Sequence, residues 1–319
     1  MTNIGTQRRL PSAMLAVAAV VLAACGAARP VPAAPATSTT RPTVSTVPVG
    51  AALAVKIDNI DAARPATGLG SAEAIYVEQV EGGLTRLIAV FGPQWPAVIG
   101  PVRSARTTDL DLLAQYGRPT FAYSGSAPAL VPALRSASVV NASPTDVPGA
   151  YFRDPGRAAP HNLYVRPALL PTGVAPAADV LSFGAAPAGG TPATDQRVTY
   201  PAASYEFRWS PAVHRWLVLM DGTPFRSTDA GQLGAATVVV QHVQSYVDPV
   251  AERAGDVRAT PVYRTVGSGT ATVLRDGMFY SATWSRPQPA TPTRFTVAAS
   301  GLTLPFAAGP VWVLLVGTS

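Results

Sequence analysis

The chain has one cysteine, one lysine, three histidines and little charge for its length, with Asp, Glu, Lys and Arg making up 13% of 319 positions. A single cysteine, Cys25, excludes an intramolecular disulfide and any metal site built from several thiolates. The histidines, His161, His214 and His242, stand far apart and make no H-E-x-x-H pair, so neither a metal nor another cofactor is expected. All but one of the 24 basic residues are arginines, the exception being Lys56, and they are dispersed. Against 18 acidic residues they leave a formal net charge of only +6, without the concentrated basic stripe that tracks nucleic acid. No nucleic-acid partner is therefore expected. Apolar residues are plentiful at 48%, and they are punctuated by 32 prolines and 27 glycines. That is enough to build one large core or two medium ones, with much of the remaining chain in turns.

Residues 1–24 carry Arg8 and Arg9, then an uncharged run from Leu10 to Ala24. The run is too short for a membrane span and reads as an export signal. Its end, Leu22-Ala23-Ala24-Cys25, resembles the bacterial lipobox, which implies diacylglyceryl transfer to the Cys25 thiol and cleavage before it. Residues 25–50 are rich in proline, threonine and alanine without a usable amphipathic period, as suits a tether. The membrane partner is expected through lipidated Cys25, at the extracytoplasmic face of the bacterial cytoplasmic membrane.

The region 51–175 alternates strand and helix signals. LAVKIDN, AIYVEQV and LTRLIAVF are strand-like, the last two separated by a turn at Glu81-Gly82-Gly83. TTDLDLLAQYG changes to a helical period, with Thr107 or Thr108 as the expected cap and Gly117 as the stop. Residues 176–203 read as a flexible connection or insertion. The region 204–319 is strand-biased, with Asp221-Gly222 and Asp276-Gly277 placed for tight hairpins. Trp209, Trp216, Trp284 and Trp312 are expected to pack in cores or groove walls. The expected architecture is an α/β or α+β N-terminal domain with a mixed sheet, followed by a β-rich C-terminal domain.

Opposite charges are densest at Glu78, Glu81, Arg86, Arg103, Arg106 and Asp109, with Asp58, Asn59 and Arg64 joining from an earlier strand and turn. If these converge, the arginines are suited to bidentate capture of a carboxylate or phosphate. The same acids are also suited to pairing the arginines in a structural network. A third possibility gives Glu78 or Glu81 acid/base chemistry in hydrolysis. The Ser124-Gly125-Ser126 step lacks the G-x-S-x-G pattern of a nucleophile elbow and reads as a turn.

KIDN at 56–59, ARPATGL at 63–69, EAIYVEQVEGGLTR at 73–86 and GPVRSAR at 100–106 resemble the YerB-like bacterial lipoproteins, the DUF3048 family. VGSGTATVLRDGMFYSATW at 266–284 and FAAGPVWVLLV at 306–316 resemble that family's C-terminal region. The resemblance implies an extracytoplasmic lipoprotein with two associated family domains, and it transfers no catalytic residue or cofactor. The functional expectation is a lipid-anchored binding or scaffold protein whose partner is a cell-wall fragment or envelope protein. A hydrolase using Glu78 or Glu81 is one alternative. The other is a small-molecule binder with an aromatic pocket drawn from Tyr76, Tyr123, Tyr151 or Trp284.

Overall fold

The computed structural model describes residues 50–248 and 260–318; the expected export signal, the tether and Cys25 lie outside them. Three apolar, β-branched runs open the fold as β1 (Leu53–Ile57), β2 (Ala74–Gln79) and β3 (Thr85–Phe91). They are buried along nearly their whole length, as strands covered on both faces must be. Helix α1 (Thr107–Ala114), β4 (Thr120–Ala122), α2 (Val131–Ser136) and β5 (Val140–Asn141) follow. A small hairpin of β6 (Tyr151–Arg153) and β7 (Leu163–Val165) comes next.

The rest of the described chain is almost entirely strand. It continues through β8 (Thr191–Pro192), β9 (Asp195–Tyr200), β10 (Ala203–Ser210) and β11 (Arg215–Met220). Four two-residue strands come after these: β12 (Thr223–Pro224), β13 (Arg226–Ser227), β14 (Gly231–Gln232) and β15 (Gly234–Ala235). The last six are β16 (Thr237–Val247), β17 (Pro261–Tyr263), β18 (Gly267–Arg275), β19 (Met278–Arg286), β20 (Arg294–Val297) and β21 (Val311–Thr318). A mixed α/β N-terminal region followed by a β-rich C-terminal region is therefore what the chain forms.

One twelve-stranded mixed sheet contains strands of both regions, in the order β20, β19, β18, β16, β21, β2, β3, β1, β4, β5, with β17 on β16 and β8 on β19. Strand β21 joins the regions, running parallel to β16 on one side and to β2 on the other. Val311 aligns with both Thr237 and Ala74. A second, five-stranded sheet, β12-β11-β10-β9 with β15 on β11, covers one face of the large sheet. Side chains alternate along each strand, so Leu53, Val55, Ile75, Val77, Leu87 and Trp312 meet Tyr205, Phe207, Trp216 and Val218 of the second sheet. On the opposite face, Ala54, Ile88, Val90 and Val313 meet Leu112 and Leu113 of α1 and Leu134 of α2.

Both Asp-Gly hairpins form as expected, with φ of 52° and 77° at Asp221 and Gly222, and 53° and 72° at Asp276 and Gly277. Double positive φ is the primed-turn geometry that matches strand twist. Helix α1 differs from expectation at its start. Arg106 is the capping residue, and Asp109 accepts its backbone N–H at 2.7 Å. Thr107 and Thr108 use their hydroxyls elsewhere, on Asp248 and on the Tyr263 N–H. The segment 176–203 contains β8 and β9, and its Val180 and Leu181 are buried.

Candidate functional site

Residues 54, 56 and 58 share one face of the β1 segment, and Ala54 shows which face it is: the one covered by α1. The same alternation brings Glu78 of β2 and Arg86 of β3 to that face, where they sit opposite each other across the ladder. Four charged side chains are thereby carried into an interior covered by a helix. β1 and β2 point the same way, since each is antiparallel to β3 between them, and β4 is parallel to β1. The charges collect where these three strands end and α1 begins.

Lys56 lies at the centre, with no solvent-exposed surface. Its ammonium bonds Glu78 Oε1, and Asp109 Oδ1 at 2.7 Å. One cation thus joins β1, β2 and α1. Burial is the largest influence on Glu78 and raises its pKa to about 7, the attraction of Lys56 only partly opposing it and the Asp109 charge adding to it. A carboxyl raised from 4.5 binds more protons folded than unfolded, so its contribution to stability is complete below pH 4.5 and is lost as pH rises through about 7. Denaturant midpoints measured at steps from pH 4.5 to 8 should therefore fall over that window, and Glu78→Gln should flatten the fall. An unchanged slope in the variant would show that another group titrates.

Asp58, fully buried, is the second centre. Its carboxylate meets Arg86 Nη1 at 3.5 Å, Arg103 Nε at 3.2 Å and His161 Nδ1 at 2.6 Å. Burial lowers the pKa of Arg86, the Asp58 charge opposing this and Arg103 and Arg106 adding to it. A third pair, Arg106 with Glu81 at 2.7 Å, lies nearer solvent. Burial acts against both charges, but their mutual bond prevails, holding Glu81 below and Arg106 above their ordinary values. Glu81 is thus a carboxylate at neutral pH.

The turn at Ser124-Gly125 is stitched to the arginine segment by Ser124 N–H to Arg103 O at 2.8 Å and Ala105 N–H to Gly125 O at 2.9 Å. Beside it opens a cleft of about 250 Å³ lined by Glu81, Ser104, Arg106, Thr107 and Ser126 among others.

The structure therefore gathers Asp58, Glu78, Glu81, Arg86, Arg103, Arg106 and Asp109. Asn59 lies beside them but bonds Thr85 at 2.8 Å and Tyr205 at 2.5 Å, pinning the second sheet to the first. Arg64 belongs to a separate arrangement with Asp61, Asp221 and the Met220 carbonyl. Lys56 and His161 were not picked out from the sequence as members of the site. A lone lysine inside an apolar strand was the available signal for the first, because a buried lysine needs a partner. His161 carried no comparable local signal. Of the aromatics considered for a pocket, Tyr76 bonds Tyr116, Tyr123 bonds Asn141, Tyr151 bonds the Ala142 carbonyl and Trp284 bonds the His242 carbonyl. Among the described residues no group of three His, Cys, Asp or Glu side chains is placed to hold a metal.

The fold and site define a two-part α/β and β protein with a partly buried ionic cluster at the carboxyl ends of its strands. The chain belongs to the DUF3048 family of proteins of unknown function: the family's N-terminal domain matches residues 38–179 and its C-terminal domain residues 196–313. It is 34% identical over 113 residues to YerB of Bacillus subtilis (strain 168), described as a candidate lipoprotein. That stretch covers 35% of this chain and spans about a third of the length of the relative, 34%. The crystal structure of YerB from Bacillus subtilis superposes with a TM-score of 0.69 at 20% identity, covering 85% of this chain and 92% of that one. The likeness shows a shared fold.

Proposed function

We propose that the protein is a lipid-anchored, extracytoplasmic binding or scaffold protein of the bacterial envelope, and that it holds an anionic partner through Arg103, Arg106 and His161 without transforming it. The lipobox-like Leu22-Ala23-Ala24-Cys25 and the description of YerB support the location. One observation carries the binding mode: Arg103, Arg106 and His161 reach the surface beside three buried carboxyl groups, and the partly exposed acid of the cluster, Glu81, is held by Arg106. The side chains of Arg103, Arg106 and His161 are 24%, 20% and 17% exposed, against 0% for Asp58 and Asp109 and 1% for Glu78, while Glu81, paired to Arg106, is 28% exposed. Guanidinium charge on such a rim suits a carboxylate or phosphate, with Arg106 already bonding Glu81 and the Ser104 and Ala105 carbonyls through its Nη groups. The position outside the carboxyl ends of β1, β2 and β4 is also where open α/β sheets bind ligands.

The hydrolase reading has less support. Glu78 has a pKa suited to a general acid but lies beneath the surface on Lys56, and Glu81 is held ionised by Arg106. The test is equilibrium binding of the purified protein to cell-wall fragments bearing phosphate or carboxylate groups, alongside fragments with those groups removed. The wild type should prefer the charged fragments, and folded Arg103→Ala and Arg106→Ala variants should each bind them at least about tenfold more weakly, the order expected for losing one charge-assisted contact. Folded wild type that binds charged and neutral fragments alike would sink the proposal.

A further inference from the structure

A groove of about 700 Å³ lies away from the ionic cluster and falls within the size range of small-molecule sites. Its walls are Gly/Pro-rich turns and apolar side chains, chiefly Trp95, Pro96, Leu181 and Phe183, and among the described residues Glu73 is the only charged one lining it. The carboxylate is placed by the sheet. Glu73 immediately precedes β2, with its N–H bonded to Val90 O and its carbonyl accepting from the Val311 N–H, both at 2.9 Å. Its backbone is thus fixed at the seam where β3, β2 and β21 meet. Its side chain has no hydrogen-bond or ion-pair partner among the described residues.

A Cβ at position 92 would stand 2.1 Å from Glu73 Oε1, so the carboxyl end of Glu73 lies against Gly92 and would swing aside for a larger residue. Phe183, also lining the groove, is held by paired backbone bonds, Gly184 N–H to Phe306 O and Phe306 N–H to Ser182 O, and by an edge contact with Phe306. Trp95 adds an indole whose N–H is withdrawn from solvent and has no hydrogen-bond partner among the described residues. Glu73 is itself exposed, and partial desolvation raises its pKa, with no counter-ion opposing it among the described residues.

We infer that this groove is a second binding site, which takes a small organic cation: an ammonium group attached to an apolar or aromatic body. The charge follows from a single unpaired carboxylate among apolar walls, and aromatic faces such as those of Trp95 and Phe183 also attract cations. The apolar body follows from the lining. The site is independent of the arginine rim and of any reading of it.

The probes are phenethylammonium and its uncharged counterpart 2-phenylethanol, titrated calorimetrically into the purified full chain, with N-acetylglucosamine as a neutral sugar. Wild type should bind phenethylammonium at least tenfold tighter than the alcohol. Glu73→Gln, which removes the charge but keeps the shape and breaks no internal bond, should retain its thermal midpoint and lose that preference. Trp95→Ala, checked for folding by circular dichroism, should weaken both aromatic probes. Equal binding of amine and alcohol, an undiminished preference in Glu73→Gln, binding of the sugar alone, or no binding by the folded wild type would each overturn the inference. Arg103→Ala should leave the preference intact, so this site and the rim can fail separately.

Discussion

Lys56→Met should cost about 3–5 kcal/mol of folding stability, the range for removing one partner of a buried ion pair. The substitution keeps the length of the side chain, so it leaves little void in the strand. What it removes is the cation shared by Glu78 and Asp109, both of which are buried. Two neighbouring carboxyl groups would then face each other in an interior that disfavours charge, and at least one would be forced to take up a proton. The check is urea unfolding followed by circular dichroism at neutral pH and at pH 5. The loss should be smaller at pH 5, where protonation relieves the repulsion. Adding Glu78→Gln to Lys56→Met should recover part of the stability, because it leaves one carboxylate instead of two. If Lys56→Met unfolds at the wild-type urea concentration, the triad is not what ties β1, β2 and α1 together.

Trp312→Ala should be comparably severe, about 3–5 kcal/mol, the range for deleting a large buried aromatic. Trp312 is 1% exposed and lies on β21, facing the second sheet. Its ring centroid is 6.3 Å from that of Tyr205, 5.9 Å from Phe207 and 5.8 Å from Phe225. These neighbours belong to other strands and turns, so the void could be filled only by moving several elements together. Trp312→Phe should recover much of the loss. The same denaturant titration decides the matter: a loss below about 1 kcal/mol would mean that the surrounding rings collapse into the space.

The general architecture was legible because strand and helix periods differ, and the chain keeps them apart. The LAVKI, AIYVEQ and TRLIAVF runs each became a buried strand, and TTDLDLLA became a helix. The two Asp-Gly turns were legible because their backbone geometry is a local property. The cap of α1 was not, since Thr107 and Thr108 are claimed by Asp248 and Tyr263, which come from far along the chain. The charged neighbourhood was visible as composition, but its wiring was not. That Asp58 would take Arg86, Arg103 and His161 depends on the antiparallel pairing of β1 with β3, on the bridge between Ile57 and Val102, and on a loop about one hundred residues away. The groove at Glu73 was invisible for a similar reason: its walls come from turns separated by more than two hundred residues, none of which carries a pattern of its own.

The position of β21 bears on how the molecule is made. β2 is synthesised early, yet its parallel neighbour is Val311–Thr318, more than two hundred residues later. Pairings of that sequence separation form slowly, because a long loop must close before any contact compensates for it. During synthesis, β2 and β16 must wait with open edges until β21 emerges between them. Products of premature termination before Val311 would keep both edges bare, and bare apolar edges recruit other chains or proteases. The strand that joins the two regions therefore also acts as a check on completeness, since only a chain extending through it can satisfy both edges at once.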